Sequence, residues 1–195
     1  MTATHEGAGL DHSLGFNITL PFEQRSNTVV HGTSHDLAFG FFFLRKLFFV
    51  KEADALILCP GGFGTLDEAL EVLTLVQTGK SPMVPIILLD QPGGQYWQAF
   101  TQFVRSQLAD SAYIHPDDIN LLTPCNSPAE AMQVVLNFYS NYHSSRRVGE
   151  QFMLRLNHPL NQQGLAQLET RFGHICVSGG FVQQGMCEQA VSYTH

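Results

Sequence analysis

The sequence predicts an α/β protein built on a parallel β-sheet. Short apolar runs alternate with longer segments whose apolar residues recur at helical spacing, and this alternation is typical of βαβ units with right-handed crossovers. The run Val84–Leu89 is apolar throughout, which indicates a strand buried on both faces. Another short run, Ala55–Cys59, leads directly into a glycine-rich turn, and a helical pattern follows the turn.

Taken in chain order, these patterns give five strands and four helices. The predicted strands are Gly15–Leu20, Asp36–Phe42, Ala55–Cys59, Val84–Leu89 and Ile119–Leu122. The predicted helices are Phe43–Ala53, Leu66–Thr78, Tyr96–Leu108 and Pro128–Tyr142. Pro21 closes the first strand, Gly79 ends the second helix, and Ser127 is a suitable N-cap for the last helix. Ligands of such sheets bind beyond the carboxyl ends of the strands, where the glycine turn is expected.

The character of the sequence changes after about residue 144. Ser144–Arg147 is typical of a linker, which predicts a main domain over 1–143 and a small C-terminal extension over 144–195. Within the extension, the patterns predict a strand at Phe152–Leu156, a short helix at Gln162–Phe172 and a strand at His174–Ser178. No residue of the extension points to a particular chemistry.

Composition excludes several classes of protein. Hydrophobic residues make up 44% of the 195, and 17 acidic against 10 basic side chains give a net charge of −7, which argues against general nucleic-acid binding. The apolar segment Leu37–Val50 contains Arg45 and Lys46 and is shorter than a membrane span of about 20 residues. The N-terminal residues lack a signal-peptide pattern, and the four cysteines lack C-x-x-C spacing. We therefore expect a cytoplasmic protein without a membrane partner.

The glycine turn is the strongest candidate for a binding site. Gly61, Gly62 and Gly64 allow a ligand to approach the backbone closely, and a helix that starts after a strand directs free N–H groups at an anion. A carboxylate repels a phosphate, yet Asp67 and Glu68 follow at once. This arrangement indicates a site that binds a phosphorylated molecule and also acts on it.

Glu68 has two interpretations. If Thr65 is the N-cap, Glu68 is the third helical residue, and the two form a capping box in which side chains satisfy free backbone N–H groups. Spacing alone slightly favours this structural role. A catalytic role is favoured by the number of glycines and by three carboxylates within one and a half turns, which is more than a cap requires: Asp67, Glu68 and Glu71.

Arg45 and Lys46 form the second candidate site. They are the only charged residues between Asp36 and Lys51 and lie where a strand gives way to a helix. Arginine binds phosphate through a fixed fork of donors and stays protonated, so it can stabilise negative charge but cannot transfer a proton. Solvated charges on an amphipathic helix are an equally good interpretation of the pair from spacing alone.

Other motifs carry less weight. His31 and His35 are separated by a glycine-containing segment and have no obvious third ligand, so a metal site is not expected there. The glycine turn lacks the third glycine of a dinucleotide fingerprint and the Gly-Lys-Ser/Thr of a P-loop. No serine nucleophile elbow is present in the sequence.

Together, the two candidate sites resemble the LONELY GUY family, whose members are cytokinin riboside 5′-monophosphate phosphoribohydrolases with a historical lysine-decarboxylase-like label. The resemblance rests on PGGFGTLDE at 60–68, on FFLRK at 42–46 and on LTLVQTGK at 73–80. The segment NITLPFEQ at 17–24 and the pair Tyr96-Trp97 are also similar to the family. The similarity covers about 1–142, and the combination of R-K with P-G-G-x-G-T-x-x-E is highly specific.

The resemblance implies a Rossmann-like three-layer fold and hydrolysis of the N-glycosidic bond of an adenosine 5′-monophosphate, with or without an N6 substituent. It implies that Arg45 and Glu68 are catalytic. It further implies that substrate is bound by the adjacent lysine and by the turn: Lys46, Gly61, Gly62, Gly64 and Thr65. A homo-oligomer, a dimer or larger, is implied, and neither a metal nor a cofactor is expected, since nothing marks a lysine for pyridoxal phosphate.

Compared with the family pattern, the sequence lacks the first units. Residues 1–8 resemble the helix that follows the family's second glycine turn, so an N-terminally truncated fold is expected. Those units supply further phosphate and base contacts in the family. Two alternatives therefore remain open beside the hydrolase: a module that binds a nucleotide without hydrolysing it, and a structural partner that completes its sheet with another chain.

Overall fold

The computed structural model describes residues 7–19 and 28–185. The chain divides into two compact units, one up to Leu136 and one from Asn137 onward. The domain limits expected from the sequence, 1–143 and 144–195, stay a prediction. Parts of the family-like segments at 1–8 and 17–24 lie outside the described residues, as does the predicted end of the first strand at Leu20.

Seven strands and five complete α-helices lie within the described residues, and residues 7–8 are also helical. The strands are β1 (Gly15–Ile18), β2 (Asp36–Phe39), β3 (Leu56–Leu58), β4 (Ile86–Leu89), β5 (Leu122–Cys125), β6 (Tyr142–Val148) and β7 (Gln151–Leu156). The helices are α1 (Phe42–Glu52), α2 (Phe63–Gln77), α3 (Tyr96–Phe103), α4 (Pro128–Tyr139) and α5 (Gln162–Phe172). The predicted helix from Tyr96 continues beyond α3 as a wider π-helical turn over Val104–Ala109.

The first sheet is a parallel pair, β1 with β2. Helix α1 packs on it through aromatic rings: the Phe16 and Phe49 centroids lie 5.0 Å apart, and those of Phe39 and Phe48 lie 5.6 Å apart. These contacts fix the helix that carries Arg45 and Lys46. Aromatic ring contacts thus hold α1 against β1 and β2. Such contacts stabilise packing beyond the burial of apolar surface alone.

The second sheet is parallel, with the order β3-β4-β5. Strand β4 is buried on both faces, as its apolar sequence predicts. Ile86 and Leu88 lie in one buried cluster with residues of α2 and α3, whereas Ile87 packs on the other side with residues of α4. Two layers of helices around a parallel sheet confirm the predicted α/β, Rossmann-like fold class.

Three predictions about elements are wrong. The strand expected at Ile119–Leu122 is β5, which begins only at Leu122, because the preceding residues Pro116–Leu121 form a 3₁₀ helix that His115 caps. Ser144–Arg147 is not a linker but part of β6, which pairs antiparallel with β7. The strand expected at His174–Ser178 is absent from the described chain, where a 3₁₀ turn occupies Gly173–Ile175.

None of the described helices is long and apolar enough to cross a membrane.

Candidate functional site

The glycine turn lies at the carboxyl end of β3, as expected. Helix α2 begins at Phe63, with Gly62 as its N-cap and without a hydrogen bond from a capping side chain. The backbone N–H groups of Thr65 and Leu66 donate to the Gly62 carbonyl at 3.1 and 3.3 Å. The capping box predicted for Thr65 and Glu68 is therefore wrong, because the helix starts two residues earlier than Thr65 and Glu68 falls in its second turn.

Each glycine of the turn has a different environment. A Cβ atom at Gly61 would lie 2.2 Å from the Thr65 hydroxyl oxygen, so this close approach requires glycine. A Cβ atom at Gly62 or Gly64 would meet no other atom within 4 Å, and neither residue has a positive φ. Packing within the described chain therefore does not require glycine at these two positions, and the space in front of them is open.

Glu68 lies opposite Arg45. An Nη2 donor of Arg45, on α1, forms an ion pair and hydrogen bond with Oε1 of Glu68, on α2. Both side chains are mostly buried, 19% and 16% exposed. The guanidinium also lies 5.5 Å from the centre of the Phe49 ring. Its Nε–H is buried and has no acceptor among the described residues, so the arginine retains donor capacity beyond Glu68.

The environment of Glu68 pulls its pKa in two directions. Burial raises the pKa of the carboxyl, and the cations of Arg45 and Lys46 lower it. Burial is the largest single effect and the negative charges of Asp67 and Glu71 add to it, so the pKa lies above the ordinary glutamate value. A glutamate with a raised pKa beside a fixed arginine is typical of sites that use a carboxylate in catalysis.

Lys46 forms ion pairs with the other two carboxylates of α2, those of Asp67 and Glu71. Its ammonium nitrogen lies 2.6 Å from Asp67 and 3.0 Å from Glu71, and its side chain is 16% exposed. The hydrogen bond that Lys46 donates to Asp67 is the largest of the effects that raise the pKa of Lys46, so the lysine stays charged. Two neighbouring cations of α1 thus pair with three carboxylates of α2, and the two candidate sites of the sequence lie in contact.

We expect Lys46→Met to lower the free energy of unfolding by about 1 kcal/mol, because Asp67 and Glu71 would then repel each other without a shared cation. Urea unfolding followed by circular dichroism measures the change. Lys51→Met is the matched control, since the Lys51 side chain is 70% exposed and its ammonium is paired with one carboxylate, that of Glu52, at 3.7 Å. An equal effect of the two substitutions would contradict a special role for the Lys46 cluster.

One contact of the turn is not predicted by the spacing of residues in the sequence. The Tyr96 hydroxyl, on α3, donates to the Gly61 carbonyl at 2.6 Å. Sequence spacing places Tyr96 only on the apolar face of its helix, and 35 residues separate the two partners. A cleft of about 430 Å³ lies beside this contact, and its lining consists of Pro60, Asp90, Gln91, Gly94, Gln95 and Tyr96.

His31 and His35 each contact a different neighbouring residue. His35 Nδ1 lies 2.9 Å from the Ser13 carbonyl oxygen, and His31 Nδ1 lies 3.8 Å from the Asp36 carboxylate. Within 7–19 and 28–185, no group of three or more histidine, cysteine, aspartate or glutamate residues could hold a metal ion.

The candidate site therefore combines α1, the helix that carries Arg45 (the arginine helix), with the glycine turn and with the mostly buried Glu68 of α2. All three lie on one parallel α/β domain. A family model described as possible lysine decarboxylase matches residues 1–135 of the 195. The chain belongs to this family. Its match with curated relatives confirms the LONELY GUY resemblance within the family.

Three relatives illustrate the similarity. A probable cytokinin riboside 5′-monophosphate phosphoribohydrolase of Oryza sativa subsp. japonica is 33% identical over 99 residues, which cover 51% of this chain and 44% of the relative. Two cytokinin riboside 5′-monophosphate phosphoribohydrolases of Arabidopsis thaliana are 33% identical over 89 residues (46% and 40% covered) and 39% identical over 72 residues (37% and 31% covered). The chain thus spans less than half the length of these LONELY GUY relatives.

Proposed function

We propose that this LONELY GUY family protein hydrolyses the N-glycosidic bond of adenosine 5′-monophosphate or an N6-substituted adenosine 5′-monophosphate, releasing free base and ribose 5-phosphate. The observation that carries the proposal is the mostly buried pair of Arg45 and Glu68, which joins the arginine helix to the helix after the glycine turn. The substrate class comes from the names of the relatives, cytokinin riboside 5′-monophosphate phosphoribohydrolases.

The glycine turn is proposed to bind the 5′-phosphate and ribose through Gly61, Gly62, Gly64 and Thr65. The first N–H groups of a helix have no acceptor within the helix and favour an anion. The open space in front of Gly62 and Gly64 supports this role, because glycine at these positions has no other reason in the described packing and lets a phosphate approach the backbone.

Glu68 and Arg45 are proposed to be the catalytic residues. Cleavage of the bond between the base and C1′ builds positive charge on the ribose ring, as in glycoside hydrolysis. The Glu68 carboxylate would stabilise this charge or orient the water that attacks C1′. The bond between C1′ and the base nitrogen breaks, the water oxygen becomes the hydroxyl on C1′, and a proton from the water is taken up by the departing base. Arg45 would hold Glu68 in place and use its remaining N–H donors for the phosphate or for developing negative charge.

Lys46 is proposed to assist substrate binding, as the family resemblance implies. In the free protein its ammonium is held by Asp67 and Glu71. The lysine would therefore act mainly by contributing positive potential near the turn and by keeping α1 against α2, since its donors are already shared between two carboxylates.

A nucleotide-binding module without catalysis is the second candidate. It is favoured by the ion pair between Glu68 and Arg45, because a carboxylate held by a buried counter-ion can have a purely structural role. A module of this kind would use the glycine turn in the same way, and Glu68 would serve only as the counter-ion of Arg45.

Incubation with adenosine 5′-monophosphate and with an N6-substituted analogue, followed by chromatography of the free base, tests the proposal. Base release identifies the hydrolase. Nucleotide binding by calorimetry without base release identifies the binding module. The absence of both, together with obligate association with another chain, would instead support a structural partner.

A homo-oligomer and a cytoplasmic location belong to the same proposal. Helix α1 exposes four large apolar side chains, which supports self-association through this region: Phe42 is 53% exposed, Phe43 64%, Leu47 56% and Phe48 42%. The molar mass in solution, measured by light scattering, is expected to exceed that of one chain. A strictly monomeric mass at micromolar concentration would contradict this part of the proposal.

A further inference from the structure

Tyr96 connects the end of β4 to the glycine turn after β3. Its backbone N–H donates to one oxygen of Asp90 at 3.2 Å, and the other oxygen of Asp90 accepts from the N–H of Gln91 at 2.8 Å. A Cβ atom at Gly94 would lie 2.2 Å from the Asp90 carboxylate, so glycine there makes room for this arrangement. The start of α3 is thereby fixed to the residue that follows β4.

The Tyr96 ring is held as firmly as its backbone. It packs edge-on against Trp97, with the ring centres 4.7 Å apart. Trp97 is 2% exposed, and its indole N–H donates to the Leu89 carbonyl at 3.1 Å. The phenol oxygen therefore has a defined position, from which it donates to the Gly61 carbonyl at 2.6 Å.

This hydrogen bond fixes the orientation of a peptide unit. In a trans peptide the carbonyl and the N–H of the next residue point in opposite directions. A hydroxyl that holds the Gly61 carbonyl therefore determines where the N–H of Gly62 points. Because Gly61 and Gly62 lack side chains, the backbone on both sides of this peptide has more accessible conformations than other residues would allow.

We propose that Tyr96 is a positioning residue of the site, which acts through the Gly61 carbonyl to aim the Gly62 N–H at the phosphate of a phosphate-bearing ligand. The inference rests on the proposed function of the turn and adds a residue from a different helix to it. Tyr96 does not need to touch the ligand in this role, and its effect is confined to ligands that carry the phosphate.

Tyr96→Phe tests the proposal, because it keeps the ring and removes only the hydroxyl. Losing one hydrogen bond of this kind weakens an interaction roughly fivefold to tenfold. We expect the KM for adenosine 5′-monophosphate to rise by about this factor, with kcat nearly unchanged and with adenosine binding unaffected. Tyr113→Phe, at a residue that is 79% exposed, is the matched control and is expected to change nothing.

A second measurement does not depend on turnover. Inorganic phosphate is titrated into ¹⁵N-labelled protein, and the amide signals of Gly62 and Gly64 are followed by NMR. We expect these signals to shift in the wild-type protein, and the phosphate affinity to fall roughly fivefold to tenfold in Tyr96→Phe. If phosphate shifts these signals and binds more weakly to Tyr96→Phe, but no base is released from the nucleotide, the proposed hydrolysis is rejected and the role of Tyr96 is still supported.

Three outcomes would overturn the inference. The first is the absence of phosphate shifts at the turn of the wild-type protein. The second is an unchanged phosphate affinity in Tyr96→Phe. The third is an equal loss of adenosine and adenosine 5′-monophosphate binding, which would indicate direct contact with the nucleoside or general damage to the site.

Discussion

Glu68→Gln is expected to abolish base release from adenosine 5′-monophosphate while the protein keeps its fold. The amide has the size of the carboxylate and retains an oxygen that accepts from Arg45, so the contact between α1 and α2 survives. It lacks the negative charge that the developing ribose cation needs. Removing a group with this function lowers kcat by about 10² to 10⁴-fold, which chromatography of the released base measures.

Glu52→Gln is the matched control, because the same chemical change is made on a side chain that is 61% exposed at the end of α1. It is expected to keep full activity. Circular dichroism of both variants verifies the fold. Turnover within a factor of a few of the wild-type rate in folded Glu68→Gln would sink the assignment of Glu68 as a catalytic residue.

Arg45→Ala is expected to lower kcat by about 10² to 10³-fold, since preorganised donors at a site of developing charge contribute on this scale. The substitution also leaves the Glu68 carboxylate without its main counter-ion. Arg45→Lys is expected to recover only part of the activity, because a point charge replaces a planar fork of donors. Arg105→Ala, at an exposed arginine, is the control, and full activity in folded Arg45→Ala would contradict the role.

The same variant has a measurable effect on protonation. Burial holds the pKa of Glu68 above the ordinary value, and the charge of Arg45 is the largest effect that lowers it. Only the ionised form is active in the proposed mechanism, so activity is expected to fall as the pH decreases through this raised pKa. Loss of Arg45 is expected to raise the pKa further, and carbon NMR titration of the Glu68 carboxyl measures it. An unchanged pKa would show that the pair does not interact as described.

Most of the fold follows from local sequence patterns. Strand β4 is recognisable because it is apolar at every position, and α2 because it follows a glycine turn. The errors arise where local and tertiary effects compete. Pro116 and the cap from His115 form a 3₁₀ helix where the apolar pattern favours a strand. The polar run Ser144–Arg147 becomes a strand because it pairs with β7, and strand pairing is a non-local effect that composition does not report.

The sequence predicted both halves of the candidate site but not their contact. Arg45 and Glu68 are 23 residues apart, and spacing alone slightly favours a capping role for Glu68. The position of the N-cap at Gly62 removes that role and leaves the carboxylate for Arg45. The presence of Asp67 and Glu71 is likewise explained only by their ion pairs with Lys46.

By itself, the sequence determined the α/β class, the glycine turn at the end of a strand and the identity of the charged residues, because each depends on local periodicity or on a contiguous motif. Only the tertiary structure decided which charges meet and that Tyr96 holds the turn through Gly61. Such contacts depend on how α1 and α3 pack around separate strands, and packing brings together side chains whose separation along the chain carries no signal.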